Sequence, residues 1–163
     1  MRKATTDLIL RPRRPADDAF LYRLSERVFS AYSVHPASAL SSMLEERSAR
    51  AMIAVHDGAP VGFYILDLTR HPRPFGPWQR PALARLDAIG VTPKLHGHGL
   101  GTHLLEHAED LARDEEAVSM TLMTADTNTR ARRLFAGAGY QLLYVVEGAY
   151  ARGQRGLVMT KAL

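Results

Sequence analysis

Residues 86–105, LDAIGVTPKLHGHGLGTHLL, constrain this chain more than any other stretch. The run 86–91 has the composition of a strand, and from Thr102 onward the pattern becomes that of a helix. Between them Gly97, Gly99 and Gly101 occupy alternate positions. Backbone bare of side chains can curl so that successive N–H groups point into one cavity. The helix that follows adds its own unpaired N–H groups and the positive end of its dipole. Strand, glycine loop and helix start together form an anion site, suited to a phosphate or pyrophosphate. It is not a P-loop, because no Lys follows the last glycine. Nor is it a dinucleotide-binding turn, since the glycine rhythm differs and the stretch lies past the middle of the chain.

A chain of 163 residues suits one domain, 1–163, with one full core. Hydrophobic residues are 46% and charged residues 23%, which places it among ordinary globular proteins. The absence of cysteine excludes disulfides, Cys-ligated zinc and an acyl-cysteine intermediate. The N-terminal residues are basic but carry no apolar h-region, and no run is long enough to span a membrane. A cytoplasmic location with no membrane partner is therefore expected. A net charge of +4 and a pI near 9.7 fit a polyanionic ligand. No basic patch interleaved with aromatics is present, so no nucleic-acid partner is expected.

The rest of the chain reads as alternating elements. Residues 8–11 form a short strand that Pro12 and Pro15 stop. Asp17 or Asp18 caps a helix with Phe20, Leu21, Leu24 and Val28 at helical spacing, and a second helix follows Pro36. Residues 50–55 and 61–68 are strands joined by a turn at His56-Asp57-Gly58, where Asp-Gly is the informative pair. Residues 71–81 contain four prolines and one glycine, which excludes regular structure. Phe75, Trp78, Arg73 and Arg80 on that loop are candidates to line an acceptor pocket. Residues 83–91 are the central strand, with Arg85, Asp87, Ile89 and Val91 on one face by alternation. A helix reaching about Asp114, a strand 117–124, a short helix from Thr127-Asn128 to Gly139, and strands 140–147 and 156–161 complete the pattern.

Two motifs resemble those of the GNAT superfamily, the acyl-CoA-dependent N-acyltransferases. The first is His96-Gly97-His98-Gly99-Leu100-Gly101, five residues after Val91, where the family has Arg/Gln-x-x-Gly-x-Gly/Ala. The second is Asn128, Ala131, Phe135, Gly139 and Tyr140, matching Asn-x-x-Ala-x-x-x-Tyr-x-x-x-Gly-Phe with Phe135 at the tyrosine position. The resemblance implies an α/β GNAT fold. That fold has a mixed, twisted sheet of six or seven strands, about four helices and a central strand splayed near residues 89–91. It also implies acetyl-CoA as acyl donor. Ile89, Gly90, Val91, His96, Gly97, His98, Gly99, Leu100, Gly101, Thr102, Asn128, Ala131 and Phe135 would bind it. The expected reaction is transfer of an acetyl group to a primary amine by direct attack in a ternary complex. The acceptor would be a small-molecule amine or a peptide N-terminus, and the protein a monomer or homodimer.

Acyl transfer needs a neutral amine, a held oxyanion and a leaving thiolate. A backbone N–H on the splayed strand can hold the oxyanion. Asp87 is the nearest carboxylate to the place where several family members carry a Glu base, a place held here by Arg85. Asp87 is therefore the candidate base, with a plain ion pair to Arg85 as its alternative role. Phe135 cannot donate a proton, so Tyr150 is the second catalytic candidate. Tyr150, Gly153 and Met159 resemble the final hairpin of protein N-terminal acetyltransferases. His103 and His107 stand at i, i+4, but spacing supplies no third ligand, so no metal is expected and both are read on the polar helix face. A non-catalytic acyl-CoA-binding sensor of the same fold is the alternative function.

Overall fold

In the hairpin turn, Asp57 and Gly58 both adopt positive φ, +50° and +78°. That is the backbone of a two-residue turn whose twist matches paired strands. It joins β2 (Ala49–His56) to β3 (Ala59–Arg70) in antiparallel register. The computed structural model describes residues 8–74, 76, 77 and 79–163. The remaining elements are β1 (Leu8–Pro12), α1 (Asp18–Phe29), α2 (Pro36–Glu45), β4 (Ala82–Val91), α3 (Leu100–Asp114), β5 (Ala117–Ala125), α4 (Thr129–Gly137), β6 (Gln141–Val146) and β7 (Gly156–Ala162). Among the described residues seven strands make one mixed sheet in the order β1-β2-β3-β4-β5-β7-β6.

Among the described residues only β4 and β5 run parallel, and α3 makes the crossover between them. α3 lays Leu104, Leu105, Ala108 and Ala112 on one face of the sheet, against Tyr64, Leu66, Leu86 and Met120. α1 and α2 cover the opposite face, where Leu21, Leu24 and Leu40 meet Ile53, Phe63 and Ile65. Burial on both faces explains why β3 has seven consecutive buried residues and no alternation. β6 differs: it lies at the sheet edge and all six of its residues are exposed.

Several expectations shift. β1 runs through Pro12, which an edge strand tolerates. Neither Asp17 nor Asp18 caps α1 with its side chain. Asp17 instead accepts from the Arg14 N–H at 2.7 Å and forms a bidentate pair with Arg11, which holds its carboxyl below the usual range. His107 does not lie on a solvated face. Its Nδ1 is 2.8 Å from the hydroxyl of fully buried Tyr64.

The expected shared face of Arg85, Asp87, Ile89 and Val91 is also corrected. The β3–β4 ladder pairs Leu66 with Leu86 and Ile65 with Ala88, so Asp87 is the extra residue of a bulge. Before it, Ala82, Ala84 and Leu86 face α3; after it, Ala88 packs with the α1–α2 cluster while Ile89 and Val91 face α3. One inserted residue reverses the parity of the strand.

Candidate active site

The parallel ladder between β4 and β5 runs from Ala82 opposite Ala117 to Leu86 opposite Leu122 and goes no further. Beyond Leu86, β4 keeps its pairing with β3 as far as Val91. β4 and β5 therefore part at the bulge, and a groove opens between them. Two cavities meet in this groove, and Phe29, Tyr32, Ile89, Asn128 and Ala131 line both.

The first cavity, about 820 Å³, lies over the glycine loop and the start of α3. Ile89, Gly90 and Val91 form one side of it; Gly97, Gly99, Leu100, Gly101 and Thr102 form its floor. Gly97 and Gly99 have φ of +79° and +80°, where L side chains are strained, and a Cβ on either would meet no atom within 4 Å. The glycines are thus required by backbone conformation, and they leave the space above the loop open. Gly99 is the residue preceding α3, and no side chain among the described residues caps that helix. The first N–H groups of α3 are left for a ligand, and the helix dipole favours an anion there.

The two loop histidines are placed differently from expectation. His96 lines the cavity, but its Nε2 donates to the Val91 carbonyl at 2.8 Å. His98 lies outside the cavity and donates from Nδ1 to the His96 carbonyl at 3.0 Å. Each ring braces the loop backbone. Permanent positive charge comes instead from Arg27, Arg130 and Arg133, which line the same cavity. Sequence reasoning missed them. The available signal was the i, i+3 spacing of Arg130 and Arg133 in a helix whose first turn has no acidic residue.

Asn128 caps α4 by accepting the Ala131 N–H on Oδ1 at 3.2 Å. Its amide NH₂ has no partner among the described residues, and the side chain faces the junction of the two cavities. Ala131 stands one turn on, where a small side chain leaves the groove open. Phe135 is 4% exposed, packs edge-on against Tyr140 at 5.9 Å and closes the base of the second cavity.

That second cavity, about 510 Å³, is walled mainly by apolar side chains of α1, α2, β4 and β5. Asp87 contributes the only carboxylate among its described lining residues. Its side chain is 10% exposed, and Arg85 Nε donates to Oδ1 at 2.5 Å. Arg85 also reaches Asp67 at 3.1 Å, and Asp67 accepts from the Ser48 hydroxyl. The hydrogen bond to Asp87 raises the guanidinium pKa further, so Arg85 stays charged. Tyr150 lines the opposite wall and donates to the Met123 carbonyl at 2.9 Å. Burial pushes its phenol up to about 12, which keeps it protonated at neutral pH. Arg73 and Arg80 line neither cavity, and Phe75 and Trp78 lie outside the described residues. The arrangement offers an anion cradle and a narrow junction, and beyond them an apolar chamber with one carboxylate.

Residues 18–140 match the model of the acetyltransferase (GNAT) family. A curated relative, an uncharacterized N-acetyltransferase of Archaeoglobus fulgidus, is 32% identical over 85 residues. That match spans 52% of this chain and 55% of the relative, so it reaches about half of each. Among solved structures, Arabidopsis thaliana NAA60 in complex with acetyl-CoA superposes with a TM-score of 0.82 at 14% identity, over 96% of this chain and 99% of that one. The ribosomal-protein-S18-alanine N-acetyltransferase of Escherichia coli superposes with a TM-score of 0.76 at 18% identity, over 96% and 94%. These two likenesses are of fold.

Proposed function

This chain belongs to the acetyltransferase (GNAT) family, and on that premise we propose that it moves an acetyl group from acetyl-CoA to a primary amine by direct attack in a ternary complex. The observation that carries the reading is the groove at the β4–β5 opening, which joins an uncapped helix N-terminus to a chamber with one carboxylate. The residues present fit the donor. The open backbone of Gly97 and Gly99 and the α3 N–H groups would take its pyrophosphate, with Arg130 and Arg133 adding charge. The amide of Asn128 would meet the pantetheine arm at the junction, and the β4 backbone from Ile89 to Val91 would pair with it.

In the chemical step the amine nitrogen bonds to the thioester carbonyl carbon, and the carbon–sulfur bond breaks. Asp87 takes the amine proton, directly or through a water. A β4 backbone N–H at the splay holds the oxyanion while charge develops. The thiolate leaves without an obligatory acid, since a free thiol has a pKa of about 8.5. The Tyr150 proton is held by the Met123 carbonyl, so Tyr150 is assigned to the acceptor wall and donates to the thiolate only by giving up that bond.

The apolar chamber favours an acceptor whose amine is flanked by hydrophobic groups. A fold neighbour, Arabidopsis thaliana Naa50, at 17% identity and a TM-score of 0.74, has been solved with the bisubstrate analogue CoA-Ac-MVNAL. A peptide N-terminus with an apolar first residue is accordingly the leading acceptor class, ahead of a small amine. A non-catalytic acyl-CoA sensor is favoured by the Arg85–Asp87 pair and by Phe135 at the tyrosine position. One assay separates the readings: acetyl-CoA is incubated with N-terminal peptides and small amines, and thiol release and acetylated product are measured. Product with at least one acceptor class is expected. Tight CoA binding with no product across the panel would establish the sensor instead.

A further inference from the structure

We propose that Gln154 is a positioning residue that ties the acceptor wall to the lip of the cofactor groove, so that filling the groove organises the wall. The proposal rests on the cofactor reading above. Gln154 lies in the connection between β6 and β7, and its amide has three committed bonds. Nε2 donates to the Ala31 carbonyl at 2.9 Å and to the Ala151 carbonyl at 2.8 Å. Oε1 accepts from the Thr127 hydroxyl. The orientation of the amide follows from its partners, because two carbonyl oxygens can only accept.

Each partner belongs to a different part of the site. Thr127 lines the cofactor cavity and directly precedes Asn128, the cap of α4 at the cavity junction. Ala31 precedes Tyr32, which lines both cavities. Ala151 follows Tyr150 on the far acceptor wall. The two walls are also bonded to each other: the Ala151 N–H donates to the Tyr32 carbonyl at 2.9 Å, and Arg152 Nη2 donates to the Ala31 carbonyl at 2.8 Å. Those bonds set wall against wall. Gln154 alone among these side chains adds the third segment, the start of α4. Arg155 lies close by on Asp126, at 3.0 Å, but makes no bond to the 30–34 loop.

The two wall segments that Gln154 joins, 30–34 and 149–154, lie in connections between helices and strands, and a connection held by a few hydrogen bonds opens locally at low free energy. A ligand that orders Thr127 and Asn128 removes motion at one end of the Gln154 bridge. Part of that order is passed to residues 31–32 and 150–151. The acceptor cavity is then best formed when the groove is filled, and cofactor binding favours acceptor binding. The coupling is reciprocal by linkage.

Hydrogen exchange of the full chain, with coenzyme A as the probe and no acceptor present, tests this. In the wild type, coenzyme A is expected to slow exchange at residues 127–133 and, several-fold, at 30–34 and 149–154. In Gln154→Ala the slowing at 127–133 persists and that at the two wall segments is lost. Thr127→Val removes only the hydroxyl donor at the other end and gives the same separation, so a folding defect in one variant leaves the other decisive. Gln154→Glu, which cannot donate to either carbonyl, behaves like alanine. If the wall segments are slowed equally in wild type and variants, or are untouched in wild type while 127–133 is slowed, the bridge is refuted and the cofactor reading stands. If coenzyme A slows nothing in the wild type, the cofactor reading falls and takes the bridge with it.

Discussion

Arg85 Nε lies 2.5 Å from Asp87 Oδ1, and the carboxylate it holds is the one that faces the acceptor chamber. Arg85 is also shared with Asp67, so two carboxylates stand around one guanidinium. The pair orients Asp87 at the bulge where β4 leaves β5. An Asp87→Asn variant keeps a hydrogen-bond acceptor for Arg85 but cannot take a proton. Turnover is expected to fall roughly a hundredfold or more, with acetyl-CoA affinity nearly unchanged. A variant that melts lower yet retains turnover per folded molecule would reduce the pair to a structural one.

Acetyl-CoA at about a hundred times its dissociation constant should stabilise the fold by roughly 2.7 kcal/mol. For a chain of this size the melting temperature rises by several degrees. A thermal shift with NAD or ATP and none with acetyl-CoA would contradict the assignment of the groove.

The positive charge around that groove belongs to arginines, while both loop imidazoles donate to backbone carbonyls. Arginine does not titrate near neutrality. His98 lies outside the cavity, so His98→Arg is expected to change coenzyme A affinity little. Arg130→Ala with Arg133→Ala should weaken binding roughly tenfold or more and flatten its salt dependence. Calorimetry checks this: a large gain in affinity in His98→Arg, or no loss in the double arginine variant, would contradict the assignment of the charge to Arg130 and Arg133.

His107 carries a pH signature of stability. Burial, and then the neighbouring His103, lower its pKa below the ordinary histidine value, against a smaller opposing effect of Asp110. The unfolded chain thus protonates His107 more readily than the folded one. Its contribution is full above the unfolded pKa of about 6.5 and is lost as pH falls toward the lower folded value. Chemical denaturation between pH 7.5 and pH 5 should show this loss, and His107→Gln should reduce the slope. An unchanged slope in the variant would mean that other groups govern acid stability.

Glu109 is 4% exposed on α3 and ties that helix to β7 and to the connection between α4 and β6. It accepts from Lys161 Nζ on β7 at 2.8 Å and from the Tyr140 hydroxyl at 3.1 Å, with Arg113 at 3.6 Å. Glu109→Ala removes the acceptor and leaves a partly buried ammonium and a buried phenol unpaired. A loss of about 2–3 kcal/mol is expected. A denaturant midpoint unchanged from wild type would show that water replaces the carboxylate at no cost.

Local pattern was enough to read the glycine loop ahead of a helix, the order of strands and helices, and Asn128 at the start of a short helix that carries Ala131 and Phe135. Gly97 and Gly99 are required by a backbone conformation that other residues strain to adopt, and the helix that follows is signalled by its own period. Such features depend on neighbours within a few residues. Other features depend on elements far apart in the chain. The bulge at Asp87 is a mismatch between β3 and β4, and it reversed the face of Ile89 and Val91 against simple alternation. His107 is half-buried because Tyr64, 43 residues earlier, presents a hydroxyl to it. Arg130 and Arg133 became groove residues only when α4 came to rest beside the glycine loop. The Gln154 bridge joins positions as far apart as 123 residues, which no local period can register. Propensity and periodicity report the energy of a segment with itself, whereas these contacts exist only once packing has brought separate segments together.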